Sequence, residues 1–197
     1  MTTDSDIRKC LNNQLKKQHD GHSEKTIIIN ELGICGDVRI DIAVINGCLT
    51  GYEIKSAKDN LKRLPNQAFL YNKVFDYLHL IAAPEHVSQL DGKLPEHWGI
   101  QTVIKEKGRL KFEVVRNASI NPETEPSFLV QMLWRDEALS LLESFNIVEG
   151  YRSKPKRLIW NKIAESIPEA EIKKFILGRI KMRNEWIADR QLTICGG

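Results

Sequence analysis

Hydrophobic residues follow two rhythms in the first half of this 197-residue chain and a single one in its last third. Ile7, Leu11 and Leu15 recur every four positions with Lys and Asn between them, which predicts an amphipathic helix over 4–19. Asp20-Gly21-His22-Ser23 ends it. Lys25 to Leu32 is rich in Ile and predicts a strand, with a turn at Gly33–Gly36. From Asp37 to Ile45 the alternation is strict. Val38, Ile40, Ile42 and Val44 share one face, and Asp37, Arg39 and Asp41 the other. Asn46-Gly47 signals a hairpin and Cys48–Lys55 the returning strand.

A polar stretch, Ser56 to Arg63, precedes a helix expected from Pro65 to about Tyr77, with proline in its first turn. Leu78–Ala83 predicts a buried strand ended by Pro84. Ile100–Glu106 and Leu110–Arg116 predict a hairpin around Lys107-Gly108. The order is α-β-β-β-α-β followed by further strands. Beyond Asn117–Ser127, which has two prolines and no apolar periodicity, the pattern is helical: Phe128–Phe145, Lys156–Glu165, and a third helix opened by Ser166-Ile167-Pro168-Glu169 and running to about Arg190. The expected organisation is an α/β core over 1–120, a linker over 121–127 and a helical extension over 128–197.

Charge separates these parts. Residues 151–197 hold 11 Lys/Arg against 5 Asp/Glu, a net of +6, and the rest hold 18 against 21, a net of −3. A basic extension beside a mildly acidic core fits a polyanionic partner, and equally a set of solvated helix faces. No apolar run approaches the roughly 20 residues of a membrane span, and the polar N-terminus has no signal-peptide core, so a cytoplasmic location is expected. Cys10, Cys35, Cys48 and Cys195 form no CxxC pair and read as thiols rather than cluster ligands. His86 and His97 lack paired ligands and read as structural. The four tryptophans, 98, 134, 160 and 186, read as core anchors.

The candidate chemistry lies in Asp41 and in Glu53-Ile54-Lys55. Glu53 and Lys55 are two apart on a strand and share a face, while Ile54 points to the core. A tight two-residue loop at Asn46-Gly47 would put Asp41 on the opposite face. A three-residue loop, Ile45-Asn46-Gly47, with Gly47 in a G1 bulge would pair Val44 with Cys48. Asp41 would then face Gly51 and lie about 6–8 Å from Glu53 at the backbone. A catalytic reading requires the bulged register, with Gly51 leaving room for a metal and its waters. Two carboxylates at one point suit Mg²⁺ or Mn²⁺, which activates water and neutralises transition-state charge, and Lys55 would orient that water. Glu-x-Lys also arises by chance on exposed strands, and spacing alone does not decide.

Gln67 and Tyr71, four apart on the following helix, extend the pattern. Gly36-Asp37-Val38-Arg39-Ile40-Asp41, Glu53-Ile54-Lys55 and Gln67-Ala68-Phe69-Leu70-Tyr71 in this order resemble the PD-(D/E)XK nuclease superfamily, most closely its RecB-like branch, over about residues 4–83. The whole chain also resembles a small bacterial and phage family within it. The resemblance implies a restriction-endonuclease-like αβββαβ core with a mixed central sheet and a C-terminal helical extension. It implies that Asp41, Glu53 and the Ile54 carbonyl bind the metal and that Lys55 is catalytic. Gln67 and Tyr71 would position the site, and Glu31 would be the extra acid, which the first helix offers only as Asp4 or Asp6. The substrate implied is DNA, with RNA open, and many relatives act as homodimers. Lys58, Lys62 and Arg63, with Lys156 and Arg157 in the basic extension, are the candidate phosphate contacts. The alternative is a nucleic-acid-binding protein that keeps the fold without cutting.

Overall fold

The computed structural model describes residues 2–20, 26–36, 38–90 and 92–195, with side chains of the final helix as far as residue 184. The chain divides into two compact units, Met1–Thr124 and Glu125–Gly197.

The first unit is a mixed α/β fold. Helix α1 (Asp4–His19) leads into β1 (Ile27–Ile34), β2 (Val38–Ile45) and β3 (Leu49–Lys55). Helix α2 (Leu64–Asn72) connects to β4 (Tyr77–Ala82), and the short α3 (Pro84–Val87) precedes β5 (Gly99–Glu106) and β6 (Arg109–Arg116). Among the described residues the six strands form one open sheet in the order β1-β2-β3-β4-β5-β6. The β3–β4 and β4–β5 pairs are parallel and the other three antiparallel.

The four-residue spacing of α1 lays Ile7, Leu11 and Leu15 on Ile42, Val44, Tyr52, Ile54, Ile81 and Val103. Each fully buried Leu or Ile contributes about 1.5–3 kcal/mol, which fixes α1 across one face of the central strands. A reciprocal capping box between Thr3 and Asp6 starts the helix. Gly51, Glu53 and Lys55 point to the other face, as strand alternation demands.

Three local expectations are corrected. Helix α2 stops at Asn72 instead of running to about Tyr77. Its end is held from far along the chain. Asn121 Nδ2 donates to the carbonyls of Asn72 (2.6 Å) and Phe75 (2.7 Å), and Trp98 Nε1 donates to Asn72 Oδ1 at 2.7 Å. The strand expected to end before Gly33 continues to Ile34, and the turn falls on Cys35 and Gly36, with φ of 53° and 78°.

In the second unit, the single helix expected over 128–145 is interrupted. It comprises α4 (Pro126–Leu129), a 3₁₀ turn (Val130–Met132) and α5 (Arg135–Ser144). Arg183 accounts for the break. It binds Glu137 through Nε (2.9 Å) and Nη2 (2.7 Å), donates to the Met132 carbonyl (2.9 Å), and lies over the Trp134 ring. Glu137 accepts the Trp134 N–H, capping α5. Helices α6 (Lys156–Ser166) and α7 (Glu169–Cys195) complete the unit. Among the described residues no helix is long and apolar enough to cross a membrane.

Candidate active site

Backbone pairing departs from both expected hairpin registers. Ile45 pairs with Leu49, Val44 with Thr50, Ala43 with Gly51 and Ile42 with Tyr52. The loop is therefore Asn46-Gly47-Cys48, with Gly47 at φ 98°, and Val44 does not face Cys48. Gly51 lies opposite Ala43 and leaves no space for metal. A Cβ there would run into Ile40 Cδ1 and lie 3.0 Å from Phe75 Cδ1 and 3.1 Å from Leu78 Cδ2. Close core packing explains this glycine.

The β2–β3 ladder ends at Ile42 and Tyr52, and Asp41 and Glu53, next in this register, meet in one cleft at its open end, so the bulged register expected for a catalytic site is not what brings them together. The β1–β2 ladder skips Glu31 and Asp41 and resumes at Leu32 and Ile40. Glu31 takes a left-handed φ of 61°, a conformation uncommon outside glycine. The alternation of β2 breaks at the same point. Ile42 and Val44 pack beneath α1, whereas Ile40 reaches Gly51 on the opposite side. Asp41 stands at this break. Its Oδ2 accepts the Ile54 N–H at 2.7 Å, replacing the missing ladder bond. Because N–H and C=O of one strand residue project to the same side, the Ile54 carbonyl faces the same gap.

Glu53 and Lys55 are almost fully buried, at 2% and 5% exposure. Lys55 Nζ donates to Glu53 Oε1 (2.6 Å) and to Gln67 Oε1 (3.0 Å). Gln67 Nε2 donates to Glu53 Oε1 at 2.8 Å, which fixes the orientation of the amide. The Tyr71 hydroxyl lies 3.0 Å from Glu53 Oε2 and 2.9 Å from the Arg39 carbonyl, and shares its proton between them. The four-residue spacing of Gln67 and Tyr71 on α2 thus presents both to one carboxylate.

Arg8 was concealed in the sequence, because on α1 only an acid was expected. It donates to Asp41 Oδ1 (2.7 Å), to Asp4 Oδ2 (3.1 Å), to the Asp41 carbonyl (3.3 Å) and to Glu31 Oε1. Its only sequence trace is the Asp4–Arg8 spacing of four, characteristic of a helical ion pair. Glu31 also pairs with Arg39 Nε at 2.5 Å. Asp59 also belongs to the site. It accepts from the Ser56 N–H (2.8 Å) and hydroxyl (2.6 Å), turning the chain after β3.

A cleft of about 470 Å³ is lined by Asp4, Glu31, Asp41, Glu53 and Asp59 against Arg39, Lys55 and Arg63. Burial, then the charge of Glu53, raises the Asp41 carboxyl to about 6. Burial and then Glu53 also push the Tyr71 phenol up. Burial alone would lower the Arg8 pKa, but Asp41, Asp4 and Glu31 together raise it. Arg63 lines the cleft, while Lys58 and Lys62 are exposed on the loop beside it. Lys156 and Arg157 belong to the second unit, and Lys156 Nζ lies 4.3 Å over the Trp160 ring. His86 Nε2 bonds the Ser56 carbonyl and His97 Nε2 the Asn72 side chain, both structural contacts. Trp98 is buried, but Trp134 is 58% exposed and anchors no core. Trp186 and Cys195 lie outside the described side chains.

Among the described residues, no three His, Cys, Asp or Glu side chains converge closely enough to hold a metal by themselves. The donors available are two carboxylates and a backbone carbonyl, and carboxylates outnumber cations along the cleft. Such an all-oxygen set fits Mg²⁺, which binds through one or two carboxylates and keeps several waters.

The chain is similar to known proteins in sequence and in fold. Protein cII of Enterobacteria phage P4 is 24% identical over 157 residues, which is 79% of this chain. The chain spans 59% of the length of that relative. A solved protein of unknown function from Silicibacter pomeroyi is similar over 79% of this chain and 99% of its own, with 14% identity and a TM-score of 0.46. The family described as Bacteriophage P4 protein cII matches residues 3–192, and the chain belongs to that family.

Proposed function

We propose that this chain is a metal-dependent nuclease that hydrolyses phosphodiester bonds of DNA, with the core organisation of the PD-(D/E)XK superfamily that its motifs resemble. The observation that carries this reading is the buried Lys55–Glu53–Gln67–Tyr71 network beside Asp41, where β2 and β3 part. A lysine and a glutamate are seldom taken out of water without compensation, and here every bond orients them.

Asp41, Glu53 and the Ile54 carbonyl would hold Mg²⁺ or Mn²⁺, which when bound lowers the pKa of an attacking water and offsets charge on the phosphorane-like transition state. Lys55 uses two of its three N–H donors on Glu53 and Gln67, and the third is available to orient that water. Tyr71 and Gln67 hold both oxygens of Glu53, so its carboxylate does not rotate away. Arg63, at the start of α2, offers a contact to a phosphate of the incoming strand.

The test is cleavage of single-stranded, duplex and branched DNA, and of RNA, with Mg²⁺ or Mn²⁺, run beside Lys55→Ala. Loss of cleavage by about 100-fold or more in the variant is expected for a group that stabilises developing charge. Full-rate cleavage by the variant sinks the mechanism. A second reading, a nucleic-acid-binding protein that keeps the fold without cutting, is favoured by one observation: Asp41 is already neutralised by Arg8. DNA binding without cleavage under every divalent metal selects it.

A further inference from the structure

Arg8 occupies an oxygen cage. Asp4 on α1, Glu31 on β1 and Asp41 on β2 each give it a carboxylate oxygen, and the Asp41 backbone adds a carbonyl. Carboxylate and carbonyl oxygens are the ligands a hard divalent cation takes. The Arg8 side chain is largely withdrawn from solvent, with an exposure of 20%. Asp41 Oδ2 is committed to the Ile54 N–H, so Oδ1 is the oxygen it offers to a cation, and Arg8 Nη2 sits on that oxygen at 2.7 Å.

We propose that the Arg8 guanidinium and a divalent cation are alternative occupants of Asp41 Oδ1, which rests on the reading of this cleft as a metal site. A guanidinium and a divalent ion on one carboxylate oxygen repel each other at a few ångströms in a poorly solvated cleft. Metal entry therefore requires Arg8 to release Asp41. Asp4 and Glu31 remain to hold it at the rim, where its planar fork suits the paired oxygens of a phosphate. Without metal, Arg8 keeps Asp41 neutralised. With metal, the same side chain is freed towards a phosphodiester. The measured metal affinity is then the intrinsic affinity lowered by the contact that must break.

The test measures Mn²⁺ binding to the whole 197-residue chain, stripped of metal, by electron paramagnetic resonance, with unfolding curves recorded for each variant. Arg8→Gln is expected to bind Mn²⁺ about tenfold more tightly than the parent, the equivalent of losing one partly buried charged hydrogen bond. Arg8→Lys, which keeps charge but loses the fork, is expected to gain an intermediate amount. Arg39→Gln removes a neighbouring charge that bonds Glu31 and not Asp41, and is expected to match the parent. Equal or weaker Mn²⁺ binding by folded Arg8→Gln overturns the competition while leaving the metal site standing. An equal gain in Arg39→Gln does the same, because it reduces the effect to general charge. If Arg8→Gln does not fold, absence of a gain in Arg8→Lys overturns it. Mn²⁺ binding that is absent, or unchanged by Asp41→Asn, removes both this proposal and the metal-dependent reading.

Discussion

Asp41 Oδ2 accepts the Ile54 N–H at 2.7 Å, so a side chain supplies the hydrogen bond where the neighbouring strand has turned away. Asp41 is thus both a structural plug between β2 and β3 and an acid perturbed by its place in the cleft. Its carboxyl stands at about 6 against an ordinary 3.8, raised by burial and by Glu53.

That elevation sets a pH dependence. Between about 4 and 6 the folded protein retains a proton that the unfolded chain has released, so metal-free stability falls as pH rises through this window. Two pKa units correspond to about 3 kcal/mol at most. Asp41→Asn lacks the dependence. Denaturant titrations in chelator are expected to show the variant gaining on the parent from pH 4 to 6, with the difference level above about 7. A difference that does not change with pH contradicts the assignment.

The buried pair Glu53 and Lys55 predicts a strongly non-additive double-mutant cycle. Lys55→Met leaves a carboxylate of 2% exposure without its cation and is expected to cost about 3–5 kcal/mol in equilibrium unfolding. Adding Glu53→Gln removes the orphaned charge and is expected to restore part of that loss. Additive costs would show that the two charges act independently.

Tyr71→Phe deletes the hydroxyl that lies against Glu53 Oε2 and the Arg39 carbonyl. The ring packing against Phe75 and Trp98 remains. The expected loss is about 1–3 kcal/mol, measured by urea unfolding, because buried acceptors lose their donor. A neutral result would mean that water replaces the hydroxyl.

Gly51→Ala tests a packing assignment. The added methyl meets Ile40, Phe75 and Leu78, and the expected cost is about 1–3 kcal/mol of strain, read as a lower melting temperature. An unchanged melting temperature would show that Ile40 moves aside without cost and that close packing does not require this glycine.

Much of this architecture is legible along the chain, and the failures share one cause. The spacing of Ile7, Leu11 and Leu15 suffices for α1, because burial on one stripe is a local property. The pairing of Gln67 with Tyr71 is equally local. The register of β2 on β3 is not, since three-residue loops at 45–47 and 46–48 differ only in which residues leave the ladder. The break at Asp41 depends on Glu31 and Ile54, from two other strands. The stop of α2 at Asn72 depends on Asn121, and the interruption before α5 on Arg183. Arg8 was hidden because its partners, Glu31 and Asp41, are brought to it only by the folded sheet.

The strand order has a consequence for how the cleft comes into being. Every strand lies beside its neighbour in the chain, and the sheet's outer pairs, β1–β2 and β5–β6, are hairpins that close over short loops. The central β3–β4 pairing is parallel and must await the α2 crossover. Loop-closure entropy delays such contacts relative to hairpins. Glu53 and Lys55 lie on β3, with Gln67 and Tyr71 on that crossover, so the cleft is complete only once this non-local connection has closed. During synthesis, a nascent chain ending before β4 carries all the cleft side chains from Asp4 to Gln67 without the strand that holds β3 in the sheet.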